Sequence, residues 1–267
     1  MGKIAVTREY LEDIADSIRE KNGTQETYKP SEMSDAIDNI QSGADLSEYF
    51  KATIGEGQNG RPSVLKMIKK IPSTTTVEGE TLSYAFAGVE FSELPMLDTS
   101  NVTSMMFMCY NCPNLTTVPL YDTSKVTDMQ SAFASCSSLK SVPNFNTPLL
   151  TNLQNAFAYS GLEAAPQINT SNVGTTKNTF SSCNQLTTVP IYNLPNNRNF
   201  QNMFTNCSKL TDTSIDNILQ MCISATIYSG TKTLVILGFN STNYPSSRIQ
   251  ALPHYQDFIN AGWSIGY

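Results

Sequence analysis

The chain has 267 residues, 40% of them hydrophobic and 15% charged, which is enough apolar material for a substantial core and not the composition of a disordered segment. A net charge of −6 argues against nucleic acid as a partner, since that needs clustered Lys and Arg to displace counterions. No apolar run approaches the ~18 residues of a membrane span, so no membrane insertion is expected.

In chain order, residues 1–42 read as a separate helical module. Arg8, Glu9, Glu12 and Asp13 interrupt any apolar core of a secretory signal, which predicts synthesis and assembly in a cytosol. Leu11, Ile14 and Ile18 form one helical stripe, and Asn22-Gly23 stops it. Met33, Ile37 and Ile40 form a second stripe after Pro30-Ser31. Two helices this short are marginal alone in water and must dock on something. The run from Leu11 to Gly23, followed by Tyr28 to Met33 and Ala36-Ile37, resembles the N-terminal module of phage and prophage tail and baseplate proteins, which implies that these are attachment helices. The same residues also fit a plain helical hairpin capping the repeats of residues 81–210.

Residues 43–80 read as a connector and N-terminal cap. Gly55, Gly57, Gly60 and Pro62 mark loops, while Val64, Leu65, Ile68 and Ile71 offer apolar cover for the next segment. Lys66, Lys69 and Lys70 read as a solvated face rather than a phosphate site.

Residues 81–210 carry one unit written six times. Its anchors are Phe86, Cys109, Phe133, Phe157, Phe180 and Phe204, which follow one another at 23 or 24 residues. Eleven residues before the anchor stands Asp98, Asp122, Asn146, Asn169 or Asn193, residue types that enter turns or helices by accepting free backbone N–H groups. Val102, Val126, Leu150 and Val173, then Met105, Met129 and Leu153, approach the anchor at three- and four-residue spacing, which predicts a short helix. Cys112, Cys136, Cys183 and Cys207 stand three residues past it, with Val89 and Ser160 filling that slot elsewhere. Leu115, Val118 and Leu120, or Leu186, Val189 and Ile191, then predict a short strand with those residues in the core. Units of this length bury an apolar face only by stacking.

The segments Asp98 to Met105, Phe133 to Leu139 and Leu115 to Leu120 resemble leucine-rich repeats of the bacterial-surface BspA-like type. With the repeat period, this sets the expected fold: α/β, a leucine-rich-repeat-like solenoid of about six 23–24-residue turns with an N-terminal helical module and a C-terminal α/β cap. Residues 211–267 form that cap. A helix over Ser214 to Cys222, a strand over Lys232 to Gly238 and a helix through Ile249, Leu252, Tyr255 and Phe258 are predicted, with Trp263 packed among them. The ending from Tyr255 to Tyr267 resembles that of phage repeat proteins.

Chemistry finds little footing. The cysteines read as a buried column, because free cysteine behaves as a small hydrophobe. Cys109 and Cys112 make a lone Cys-x-x-Cys, without the second pair or histidine that zinc requires. His254 is the single histidine, so no Ser-His-Asp or Cys-His arrangement is suggested. The expectation is therefore a non-enzyme with no catalytic, metal or cofactor-binding residues and no cofactor.

Recognition by surface remains. Alternation along the strands predicts outward columns of Pro119, Pro143, Pro166 and Pro190, and beside them Tyr121, Phe145, Ile168 and Tyr192. This is a stacking face for a sugar or a partner protein, or an interface with a neighbouring subunit. Proline is unwelcome in central strands, which leaves the pairing around these columns open. The resemblances imply a virion protein of a tailed phage, a tail fibre or baseplate component assembled in the host cytoplasm. Its partners would be other tail proteins and a host-surface glycan or protein. Such fibres are commonly trimers, although no heptads set the number here. A purely structural tail protein and a BspA-like surface adhesin are the alternatives.

Overall fold

The computed structural model describes residues 53–54, 76–77, 80–224, 233–234 and 243–265, all within one of the chain's two compact units. Leu11, Ile14, Ile18, Met33, Ile37 and Ile40, expected to form attachment helices, lie outside the described residues, as do the connector lysines. The named elements are β1 (Thr53–Ile54), β2 (Thr76–Val77), α1 (Asp212–Ser224), β3 (Thr233–Leu234), α2 (Ser246–Gln250), α3 (Tyr255–Asn260) and β4 (Ser264–Ile265). β1 pairs with β2 and β3 with β4, both in parallel. No described helix is long and apolar enough to cross a membrane.

From residue 81 to residue 210 the regularity lies between turns rather than within them. Single parallel bridges link Thr81, Ser104, Asp128, Asn152, Thr175 and Asn199 in succession, so the chain returns beside itself once per repeat. Each of these side chains accepts the N–H two residues on, as in Asp128 Oδ1 with Gln130 (2.7 Å) and Asn152 Oδ1 with Gln154 (3.0 Å). The bridge residue thereby starts the turn that carries the anchor.

That turn is not the helix its spacing predicts. The N–H groups of Met129, Ser131, Phe133 and Ser135 donate to the carbonyls of Asn152, Gln154, Ala156 and Ala158 in the next turn. Those of Ala132 and Ala134 fold back on Met129 and Ser131. Alternate amides thus run along the stack, and a left-handed residue two before and two after the anchor makes the alternation possible: φ is 53° at Ser131 and 62° at Ser135. Each non-glycine in that region costs about 1–2 kcal/mol, against about 0.5–1.5 kcal/mol net from each inter-turn hydrogen bond. Near balance explains the slot's residues, Ser, Gly and above all Asn, which tolerates positive φ best among side chains: Asn111, Asn155, Asn178, Asn202 and Asn206 all occupy it. Inward residues keep helical spacing, so the apolar pattern alone does not separate the two backbones.

The leg after the anchor also departs from expectation. Leu115, Val118 and Tyr121 are buried, as are Leu186, Val189 and Tyr192, so the inward period is three rather than two. Leu120 and Ile191, expected in the core, are 64% and 53% exposed. Pro119 and Pro190 have no N–H for a ladder, and the residue after each points outward.

Three buried columns close the core. Phe133, Phe157, Phe180 and Phe204 stack ring on ring at 5.4–5.7 Å. Thr99, Thr123, Thr147 and Thr170 donate Oγ1 to carbonyls one turn on, at Asp122, Asn146, Asn169 and Asn193. The thiols of Cys112, Cys136, Cys183 and Cys207 donate to the previous anchor carbonyls of Phe86, Cys109, Phe157 and Phe180 at 3.0–3.1 Å. All six cysteines are free and buried. The slot therefore calls for a small apolar group that still satisfies a buried carbonyl, and a thiol does both.

At the C-terminal end Thr211 caps α1 by accepting the Ser214 N–H, and Ile215, Ile218, Leu219, Met221 and Cys222 bury one face of the helix. In earlier turns the leucine N–H bonds the cysteine carbonyl three residues back, as Leu139 does with Cys136. In the last turn the buried Tyr244 hydroxyl is inserted, accepting from Leu210 and donating to the Cys207 carbonyl, both at 2.7 Å. The helix predicted through Ile249 and Phe258 is split into α2 and α3 around Pro253. Trp263 is buried against Phe258 (5.9 Å) and Phe200 (6.5 Å).

Burial sets a pH limit on this core. It pushes the Cys183 thiol up to about 11 and raises those of Cys109, Cys207 and Cys222 well above the ordinary thiol range. It also pushes the Tyr244 hydroxyl up to about 12, with Tyr121 and Tyr192 higher still. Groups raised in the folded state lend stability that is complete below their unfolded values and is lost as pH rises above them. Melting temperature is therefore expected to hold through neutral pH and then to fall from about pH 9. The slope should approach ~1.4 kcal/mol per pH unit for each group still protonated only in the fold. Melts that stay level to about pH 11 would contradict the burial of these side chains.

Candidate recognition surface

Of the two columns predicted to face outward, that of Tyr121, Phe145, Ile168 and Tyr192 is core and that of the prolines is largely half-buried. Tyr121 is 3% exposed and Tyr192 2%, Phe145 and Ile168 are buried with them, Pro166 is buried, and Pro119, Pro143 and Pro190 are half-buried. Phe145 stacks on Phe133 at 6.1 Å and Tyr192 on Phe180 at 6.2 Å, while the Tyr121 and Tyr192 hydroxyls donate to the carbonyls of Pro95 and Pro166 at 2.7 Å. The three-residue period turns these rings inward, so they line the anchor column instead of offering it to solvent.

A different aromatic group lies at the surface, on the anchor turns. Tyr84 and Phe107 stack at 4.7 Å with rings 4° from parallel, and Tyr110 meets Phe107 edge-on at 5.5 Å. Tyr84 and Phe107 are half-buried, Tyr110 is 43% exposed, and further along the stack Tyr159 is 63% exposed. Tyr84, Phe107 and Tyr159 occupy left-handed slots, with φ of 58°, 55° and 59°. The slot of Tyr84 and Phe107 holds Ser131, Asn155, Asn178 and Asn202 in later turns. A bulky side chain at positive φ is a true outlier, and the turn's backbone asks only for a residue that accepts that region, as serine and asparagine do in later turns.

Residues 80–217 match the model of a family described as "Mycoplasma protein of unknown function, DUF285", over more than half of the chain. The chain belongs to the DUF285 family. No curated protein and no solved structure matches it. The DUF285 match takes in all six anchor turns and the start of α1.

Across the DUF285 turns the outer anchor face has a composition of its own. From three residues before each anchor to two after it, the six turns contain one charged residue, Lys177. The rest of the face is dominated by Gln130, Gln154 and Gln201, the left-handed asparagines, serines and the aromatic residues. The other charges of the repeats lie outside this window, among them Glu90, Glu93, Asp98, Asp122, Lys125, Asp128, Lys140, Glu163, Arg198 and Lys209. The side-chain amides of Asn111, Asn155, Asn178 and Asn202 and the hydroxyls of Tyr84 and Tyr110 take no hydrogen-bond partner among the described residues.

In the DUF285 chain His254 meets a carboxylate that lies far from it in sequence. Its Nδ1 is 2.7 Å from Asp216 Oδ2, and its backbone N–H donates to Asp216 Oδ1 at 2.9 Å. With the Arg248–Asp212 ion pair, at 2.6 Å, this ties the segment carrying α2 and α3 to the first turns of α1. Among the described residues no group of His, Cys, Asp or Glu is arranged to hold a metal ion.

Proposed function

We propose that the protein is a non-enzymatic virion component of a tailed phage. In this reading it is a leucine-rich-repeat-like solenoid, carried on the tail or baseplate by its N-terminal segment, with the anchor face turned toward a host-surface receptor. The observation that carries the recognition role is the Tyr84–Phe107–Tyr110 cluster, two of its three rings held at strained backbone positions on a face that is elsewhere mostly Gln, Asn and Ser. Strain kept at a surface position that the fold would fill more cheaply with asparagine points to use of the side chain. The attachment role is supported by the resemblance of the Leu11 to Ile37 segment, and the solenoid by the bridges recurring at the repeat period.

The test is binding of the labelled full chain to intact cells of candidate host bacteria, beside a triple variant Tyr84→Asn, Phe107→Asn, Tyr110→Ser. Asparagine is what later turns place in the left-handed slot, so the variant should melt within about 1 kcal/mol of the parent, lost ring stacking being offset by relieved strain. Saturable binding that falls at least ~10-fold in the variant is expected, ~1.4 kcal/mol or more. Equal binding by both would remove the face from the site, and no binding by the folded parent to any host would leave a structural tail role.

A further inference from the structure

We infer that the anchor face takes a neutral polysaccharide, an inference that rests on the recognition role proposed above. Three observations choose the ligand. The face bears one charge in six turns although the chain carries −6 overall, so it is made neither to attract nor to repel an ionic ligand. A phosphate-rich, acidic or basic partner would leave its charges unpaired there, which is unfavourable on desolvation. The face also supplies the two groups that a sugar ring uses. Aromatic surface at Tyr84, Phe107 and Tyr110 suits the C–H face of a pyranose. The amides of Asn111, Asn155, Asn178 and Asn202, each donor and acceptor at once, suit hydroxyls, which are the same. Finally, the left-handed slot before the anchor offers an amide in each of three successive turns, at Asn155, Asn178 and Asn202, so a ligand reading this row must itself repeat. A protein partner is the weaker fit, since an interface of this size calls for an apolar centre, and Met106 is the face's single half-exposed aliphatic residue of any length.

The geometry separates two jobs. The rings at the N-terminal end of the row provide the contact area, and the amides along the following turns read hydroxyls. A polymer lying along the stack would meet both, whereas a single sugar would meet only one.

The experiment treats host cells that bind the full chain either with periodate, which opens sugar rings at vicinal diols, or with protease, and repeats the binding in low and high salt. Periodate should abolish binding and protease should leave it. Raising sodium chloride from about 0.05 to about 0.5 M should change affinity less than twofold, because no ion pairs are screened. Asn178→Gly with Asn202→Gly, which removes both amides but keeps residues that accept positive φ, should weaken binding several-fold while the melt stays close to the parent's, and the triple aromatic variant should lose at least tenfold. Loss with protease but not periodate, or a tenfold loss in high salt, would overturn the neutral saccharide while leaving the recognition role intact. Absence of binding to any untreated cell would overturn both.

Discussion

Replacing Phe180 by alanine is expected to destabilise the protein by about 4–5 kcal/mol, the upper part of the range for a buried phenylalanine. Phe180 is fully buried and its ring meets three others, Phe157 at 5.4 Å, Phe204 at 5.6 Å and Tyr192 at 6.2 Å. Removing it leaves a ring-sized void in the middle of a column whose neighbours are fixed by inter-turn hydrogen bonds, such as Phe180 N–H to the Met203 carbonyl at 2.9 Å, so the walls cannot collapse inward. Stacked turns couple chiefly to their nearest neighbours, which concentrates the loss at the two junctions that the Phe180 turn makes, one with the Phe157 turn and one with the Phe204 turn. Thermal melts would read it as a midpoint lower by roughly 8–20 °C for a domain of this size. A midpoint within about 2 °C of the parent would show that the rings do not stack as described.

Gly161→Ala is expected to cost about 3 kcal/mol or more, well beyond the usual effect of a glycine change. A β-carbon at this position would lie 2.2 Å from the Ser137 carbonyl oxygen and 3.1 Å from its carbon, and backbone atoms cannot rotate away. The cause is visible in the repeat. The turn anchored by Phe157 reaches its proline one residue sooner than the turn anchored by Phe133, so the chain cuts close over Ser137, with Gly161 N–H bonded to the Cys136 carbonyl at 3.1 Å. Gly174→Ala is the control. Its added carbon would come no nearer than 3.8 Å to the Thr151 oxygen, and a reduced unfolded-state entropy should make it neutral or stabilising by up to about 1 kcal/mol. If both variants lose stability equally, close approach is not the reason for Gly161.

The repeat was legible in the residues because each turn buries the same few positions: the anchor, the leucines, and the slot three residues past the anchor, which holds a thiol at Cys112, Cys136, Cys183 and Cys207 and Val89 or Ser160 elsewhere. The Asp98, Asp122 and Asn169 slot was legible as a turn position, and these side chains do accept the N–H two residues on. The helix expected before each anchor was a misreading that the spacing itself invites. Met129, Phe133 and Cys136 face inward at helical intervals, yet Ser131 and Ser135 are left-handed and alternate amides leave for the next turn. The run of asparagines two residues either side of the anchor was the available signal, since helices disfavour asparagine and left-handed turns accept it. Similarly, the prolines 119 and 190 warned against an alternating strand, and with them went the assignment of Leu120 to the core and Tyr121 to the surface.

The period, the identity of the anchors and the burial of the cysteines follow from local spacing and from the side chains a narrow core accepts, and so are written in the residues. Which aromatic rings meet solvent is settled instead by contacts between turns. Tyr121 and Tyr192 turn inward to line the anchor column and to bond carbonyls about one turn away, while Tyr84, Phe107 and Tyr110 remain outside. The direction of each side chain depends on where its backbone N–H finds an acceptor. In each anchor turn alternate amides find theirs in the next turn, some two dozen residues away, as Tyr84 does at Met106 and Phe107 at Gln130, beyond the reach of any local pattern.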